Sequence, residues 1–374
     1  MLKEFVMERR IASIEEFTEQ IKDWYTRDYR GFKTLFDAAV ANVQPIPEGQ
    51  KPKVVFDWRN KGIDDLCRFF ADWYNWLPDM ENGLDYIQKF SWLYYENTYG
   101  LCFVTIGPGY TMTKQFVTLR GEYFDSPNSR VLTKKWIDKF GSLMNQFVTP
   151  SEGFQSYNAF FTRRVKPGAR PVDAIHDDSV VVSPADCIIN MIVDELTEET
   201  KIPVKTVYLN VKTLLNNSPH AVRFVGGTAV SCILMPDMYH RYHAPVSGVV
   251  LESNEDVAGE YFGIKDFPHL LNKGDVGYGY DYSVFEHFRR GYLVIKTENH
   301  GHVGMIPVGL NTVGSVEFVD QLKHVESGDE AVPITKGDEI GWFKYGGSLN
   351  ILLFEEGRFP SLSLLQGQRI GVLK

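Results

Sequence analysis

The chain has 374 residues, 44% of them hydrophobic and 14% aromatic, which is enough apolar surface to bury a large core. Its 39 Lys and Arg against 48 Asp and Glu leave a net charge of -9. That balance argues against a nucleic-acid footprint, and the lack of a long basic run means that membrane contact, though open, is not indicated; small molecules are the expected partners.

The first ten residues, MLKEFVMERR, carry charges and no apolar segment, so no signal peptide is expected. No stretch reaches about 18 consecutive apolar residues, so no membrane span is expected either. Ser13 to Glu16 has the form of a capping box, and Phe17, Ile21, Trp24 and Tyr25 fall on one helical face behind it. Further helical stripes follow: Phe32, Leu35, Phe36 and Ala39; then Leu66, Phe70 and Trp73; then Leu84, Ile87 and Tyr94. Pro45-Ile46-Pro47 separates the first pair from the rest, and aromatic residues at this spacing read as core. Gly107-Pro108-Gly109 reads as a turn, after which Leu132, Trp136, Phe140, Leu143 and Phe147 continue one stripe to Pro150.

Past Ser179 the texture changes to short apolar runs broken by glycine and proline. Val180 to Val182, Ile188 to Val193, Cys232 to Met235, Tyr292 to Lys296 and Val313 to Val319 read as strands, and Ile334 to Gly341 as a charged turn between two more. The expected fold is therefore α+β: a helical lobe over residues 1–150, then a β-rich core of sandwich or barrel type over 151–374, with Phe154 to Pro171 as the link. The cysteines, Cys67, Cys102, Cys187 and Cys232, are widely spaced and lack a CxxC pair. This speaks against zinc and against a secreted disulfide framework, so the expected location is the reducing cytoplasm.

Near the C-terminus, Trp342-Phe343 and Ile351 to Phe354 read as buried strands flanking Gly346, Gly347 and Ser348. Glycine lets other groups approach the backbone closely, so the Gly347 carbonyl is open to attack by the hydroxyl that follows it. An ordinary glycine hairpin is the plain alternative. Upstream, His240 and His243 stand three apart in MPDMYHRYHAPVSG, and imidazole is the side chain best suited to moving protons near neutral pH. Metal binding by that pair, or by His300 and His302, is disfavoured because no carboxylate or cysteine stands at ligand spacing. Asp186, at the end of VVSPAD, is either a turn former or the orienter of a histidine. An Asp-His-Ser arrangement suggests a hydrolase, yet GGSLN lacks G-x-S-x-G and is followed by strand, not helix.

Four segments, FFTRRVKPGARPV (Phe160 to Val172), SPAD (Ser183 to Asp186), MYHRYHAPVSG (Met238 to Gly248) and FKYGGS (Phe343 to Ser348), resemble in order and spacing the motifs of phosphatidylserine decarboxylases. The resemblance covers about Gln155 to the C-terminus. It implies an inactive precursor in which Ser348 attacks the Gly347 carbonyl, converts the peptide bond to an ester and loses it by β-elimination. A pyruvoyl group is then left at the head of residues 348–374, with residues 1–347 attached non-covalently. It further implies that His243, oriented by Asp186, activates Ser348 and that His240 assists decarboxylation, in which the pyruvoyl carbonyl takes the substrate amine as a Schiff base. No pyridoxal phosphate and no metal is needed. Gly346 and Leu349 stand where LGST is common, and Cys187 where glycine is usual. Together with YLNVKTLLNNSP (Tyr208 to Pro219) and the helical lobe, these departures look more like soluble decarboxylases related to fungal tryptophan decarboxylase. The expected substrate is accordingly an aromatic, tryptophan-like amino acid, with phosphatidylserine, giving phosphatidylethanolamine, as the alternative. A serine hydrolase and a non-catalytic scaffold are the readings from other classes. The oligomeric state is not encoded in any of these features.

Overall fold

Ser13 is extended (φ -148°), its Oγ accepts the Glu16 amide at 3.2 Å, and the Glu16 carboxylate accepts the Ala12 amide at 2.9 Å. One of the donors that a helix start leaves open is thus satisfied, the residue ahead of the cap is tied to the first turn, and α1 (Ile14–Thr26) begins where the Ser13 cap places it. The computed structural model describes residues 10–45, 54–76, 78, 82–83, 85–196, 210–257, 288–309, 315–345, 348–368 and 371; Leu84, Tyr208 and Leu209 lie outside them. The chain continues through α2 (Phe32–Ala41), α3 (Ile63–Asn75), α4 (Asp85–Ser91), α5 (Thr98–Thr105) and α6 (Gly107–Asp125). Their stripes close on one another: Phe17, Ile21, Phe32, Phe36, Phe70, Trp73 and Phe116 are all buried in one cluster. Removing each such side chain from water contributes about 1.5–3 kcal/mol, and this burial holds the lobe together more than helix propensity does.

Two helical expectations need correction. Gly107-Pro108-Gly109 opens α6 and is not a separate turn. Proline is tolerated in a first helical turn because its missing N–H would have no partner there, and a Cβ on Gly109 would lie 1.8 Å from the Phe103 carbonyl oxygen, so only glycine lets α5 and α6 meet. The later stripe is shorter than its spacing suggests. Helix α7 (Val131–Phe140) stops at Gly141, which takes φ +51°, and Leu143 beyond it is 54% exposed. A short helix, α8 (Tyr157–Phe161), capped by the Ser156 hydroxyl, and α9 (Val211–Leu214) are the remaining α-helices among the described residues.

The strands are β1 (Ile188–Val193), β2 (Thr228–Leu234), β3 (Arg241–His243), β4 (Gly248–Val257), β5 (Arg290–Lys296), β6 (His302–Gly309), β7 (Val316–Phe318), β8 (His324–Val325), β9 (Val332–Ile334), β10 (Glu339–Phe343) and β11 (Ser348–Phe354). Among the described residues they form two antiparallel sheets. The larger has the order β1-β2-β11-β6-β5-β4-β8, with β9 also paired to β4, and the smaller has the order β3-β10-β7. The chain is therefore mixed α+β. Val180 to Val182 is not a strand; it lies beside the turn after β3, with the Val182 amide bonded to the Pro245 carbonyl at 3.0 Å. Nor do β10 and β11 form a hairpin, because they belong to different sheets.

Side chains alternate along β11. Leu349, Ile351 and Leu353 face the cluster shared with the helices, while Leu352 and Phe354 face a second cluster, between the two sheets, with Tyr242, Ile340 and Phe343. Ser348 stands in phase with the second set.

Candidate active site

Ser348 is the first residue of β11, paired with Leu234 of β2 on one side and Gly309 of β6 on the other. It is 1% exposed, and its Oγ has no hydrogen-bond partner among the described residues. A buried hydroxyl usually finds an acceptor, so an orphaned one calls for an explanation. Gly346 and Gly347, the other half of the expected cleavage site, lie outside the described residues. The chain just before them is held firmly. The Tyr345 hydroxyl donates to the Gly83 carbonyl at 2.6 Å, its amide donates to Asn158 Oδ1 at 3.1 Å, and its ring packs edge-on against Phe124, Tyr157 and Phe161. Lys344 pairs with Asp125 at 2.9 Å. Elements of the helical part therefore anchor the approach to Ser348.

His240 sits at the entry to β3, its carbonyl accepting the Phe343 amide at 2.9 Å. It is wholly buried, with its ring 3.9 Å from that of Phe161. Nδ1 lies 3.0 Å from the Met238 carbonyl and so carries the proton, which leaves Nε2 as a lone-pair acceptor without a partner. Burial pushes the imidazole down to about 3, and the nearby Arg163 guanidinium adds to the effect. Arg163 is itself buried among the rings of Phe140, Phe147 and Phe160, and desolvation lowers it to about 10. It donates weakly to the carbonyls of Asp237 and Met238, at 3.4 and 3.3 Å. His240 is thus a neutral base throughout the physiological range.

His243 is placed differently. Its Nδ1 donates to the Gly337 carbonyl at 2.9 Å, and its Nε2 lies 3.0 Å from the Tyr239 hydroxyl, so both ring nitrogens are engaged. Its amide bonds to the Pro184 carbonyl at 2.8 Å, which lays the SPAD segment alongside β3 and brings Asp186 to the same cavity, one of about 480 Å³. The Asp186 carboxylate does not hydrogen-bond His243. It accepts a two-pronged bond from Arg170, Nε to Oδ1 at 2.8 Å and Nη2 to Oδ2 at 2.7 Å. The structure therefore brings Asp186 and His243 to one cavity, while His240, at the entry to β3, and Ser348, at the head of β11, are each buried. Among the described residues no hydrogen bond joins Asp186, His243 and Ser348 into a triad. Arg170 and Tyr239 stand inside the recognised motifs but have no spacing that singles them out; only the folded chain shows what they hold.

His302 pairs with Glu355 at 2.8 Å, and among the described residues no three metal-ligating side chains converge. Likewise no described helix is long and apolar enough to cross a membrane.

Residues 157–372 match the family model described as phosphatidylserine decarboxylase. The chain is 30% identical over 264 residues to a protein of Oryza sativa subsp. japonica named phosphatidylserine decarboxylase proenzyme 2, covering 70% of this chain and 39% of that one. It is 30% identical to the phosphatidylserine decarboxylase proenzyme of Fusobacterium nucleatum, covering 64% of this chain and 72% of the relative, and 31% identical to that of Clostridium novyi, covering 66% and 76%. The chain thus spans less than half of the rice relative and about three quarters of the bacterial ones. These matches overturn the expectation of an aromatic, tryptophan-like amino acid as substrate and favour the alternative given beside it. The departures at Gly346, Leu349 and Cys187 that suggested the other branch do not outweigh a match over the whole β-rich part.

Proposed function

The chain belongs to the phosphatidylserine decarboxylase family, carboxy-lyases that carry a covalent pyruvoyl group made from a serine, and from that premise we propose that it is a proenzyme that splits itself between Gly347 and Ser348 and then converts phosphatidylserine to phosphatidylethanolamine. The observation that carries this reading is Ser348: a buried, unpartnered hydroxyl at the head of a strand, directly after two glycines and an anchored tyrosine. The residues fit the group. A carbonyl formed at position 348 would stand at the head of β11, held between β2 and β6 and shielded from water.

In the splitting step Ser348 Oγ bonds to the Gly347 carbonyl carbon, the peptide C–N bond breaks and the serine nitrogen takes up a proton. Loss of the Ser348 α-proton then expels Gly347 as a carboxylate and leaves a dehydroalanine, which water converts to the keto group with release of ammonia. We assign activation of Ser348 to His243 with Asp186 as its orienter. For that the Asp186–Arg170 and His243–Tyr239 bonds must exchange partners, since both are closed in the uncut chain. His240 is assigned to proton handling during decarboxylation, when the pyruvoyl group supplies the electron sink. Residues 151–374 then form the sandwich-like or barrel-like catalytic core, and residues 1–150 the lobe that fixes the chain ahead of the cut.

Intact mass under denaturing conditions tests the reading. Two species that meet between Gly347 and Ser348, together with carbon dioxide release from phosphatidylserine vesicles, are expected. Ser348→Ala is expected to leave one full-length, inactive species. An active, unsplit Ser348→Ala chain would sink the reading.

A further inference from the structure

Strand β11 carries a second polar side chain with no partner. Asn350 follows Ser348 by two residues and so projects from the same face of the strand, with about 7 Å between the two Cα atoms in extended chain. It is wholly buried, and neither its amide nitrogen nor its amide oxygen has a hydrogen-bond partner among the described residues. Its cross-strand neighbours are Cys232 of β2 and Pro307 of β6. Proline offers no donor and cysteine only a weak one, so neither serves a carboxamide. The following positions on this face, Leu352 and Phe354, are apolar members of the inter-sheet core. A carboxamide in that row costs stability that a leucine or valine would not, and the cost is recovered only if something arriving at the head of the strand uses the amide.

We propose that Asn350 binds the substrate in the matured enzyme, its Nδ2–H donating to the α-carboxylate and its Oδ1 accepting from the neighbouring α-amine nitrogen. The ligand class follows from the side chain. A carboxamide presents a donor and an acceptor side by side, and an α-amino carboxylate, the reactive part of a serine headgroup, presents the matching acceptor and donor. This assignment rests on the reading of Ser348 as the residue that becomes the reactive terminus, and it places Asn350 after splitting, not in it.

Asn350→Leu keeps the branched outline of asparagine in a larger side chain and removes both polar atoms, and Asn350→Val supplies a smaller strand former should leucine not fit. Three quantities are read on the full chain: splitting by intact mass, the thermal midpoint of unfolding, and kcat/KM on phosphatidylserine in mixed micelles. The variants are expected to split completely, to unfold at the wild-type temperature or higher, and to lose about 10- to 100-fold in kcat/KM, mainly through KM. Wild-type kcat/KM in a fully split variant overturns the assignment, as does a lowered midpoint or a failure to split, which would mark Asn350 as structural or as part of the splitting step. A wild-type chain that never splits, or splits without decarboxylating, overturns the proposed function itself and is told apart by the wild-type control.

Discussion

Two histidines three residues apart occupy opposite kinds of environment. Around His243 every polar atom has found a partner: Gly337 and Tyr239 take its ring nitrogens and Arg170 takes Asp186, beside a cavity of about 480 Å³. His240 and the head of β11 are dry and open: His240 Nε2, Ser348 Oγ and both ends of the Asn350 amide are buried and lack partners among the described residues. On the proposed roles, the paired region must be rearranged before it can act. The dry region has its rearrangement built in, since unsatisfied buried groups gain from whatever binds or forms there.

The largest effects expected are those that separate the two histidines by function. His243→Gln should slow splitting by about 100-fold or more, the usual scale for losing a general base, whereas His240→Gln should split fully and then decarboxylate about 100-fold more slowly. Mass spectra over time and carbon dioxide release read the two steps independently. If His240→Gln also fails to split, the division of roles is wrong.

A middle-sized effect is expected in stability. The His240 ring is pushed from 6.5 down to about 3 in the folded chain, so below pH 6.5 the unfolded state binds a proton that the folded state refuses. The stability that depends on a neutral His240 is thus whole above pH 6.5 and is lost as the pH falls toward 3, at about 1.4 kcal/mol per pH unit. Urea unfolding of the uncut Ser348→Ala chain between pH 6 and 4 should lose about 2–3 kcal/mol more than the same chain carrying His240→Phe. Parallel slopes would mean that His240 takes up its proton while folded.

The smallest effect is expected at Arg170. Its side chain is 38% exposed and that of Asp186 is 31% exposed, so the pair is screened and Arg170→Gln should change stability by no more than about 1 kcal/mol. The same change frees Asp186, and splitting should become faster. Slower splitting would show that Arg170 helps to assemble the site instead of restraining it.

Much of this was legible in the chain itself. The Ser13 cap, the stripes of α1 to α3, and the apolar runs that became β1, β5 and β11 rest on local spacing, and local spacing is carried by neighbouring residues. Gly107-Pro108-Gly109 misled because the same residues serve a turn or a helix start, depending on whether Phe103 packs against Gly109. The four motifs carried the family, yet the departures within them pointed toward the wrong substrate. Residue type at one position says little about a pocket assembled from many.

The order of residues by itself determined which groups are available: a serine behind two glycines, two imidazoles, a carboxylate and the motifs that place them in a family. Only the tertiary structure decided which of those groups are dry, which are paired and which are left open. Tyr345 meets Gly83 across 262 residues of chain, Arg163 meets Met238 across 75, and Arg170 pairs with Asp186 across 16. Desolvation and hydrogen bonding depend on what lies within a few ångströms in space, and for these side chains those neighbours come from distant parts of the sequence.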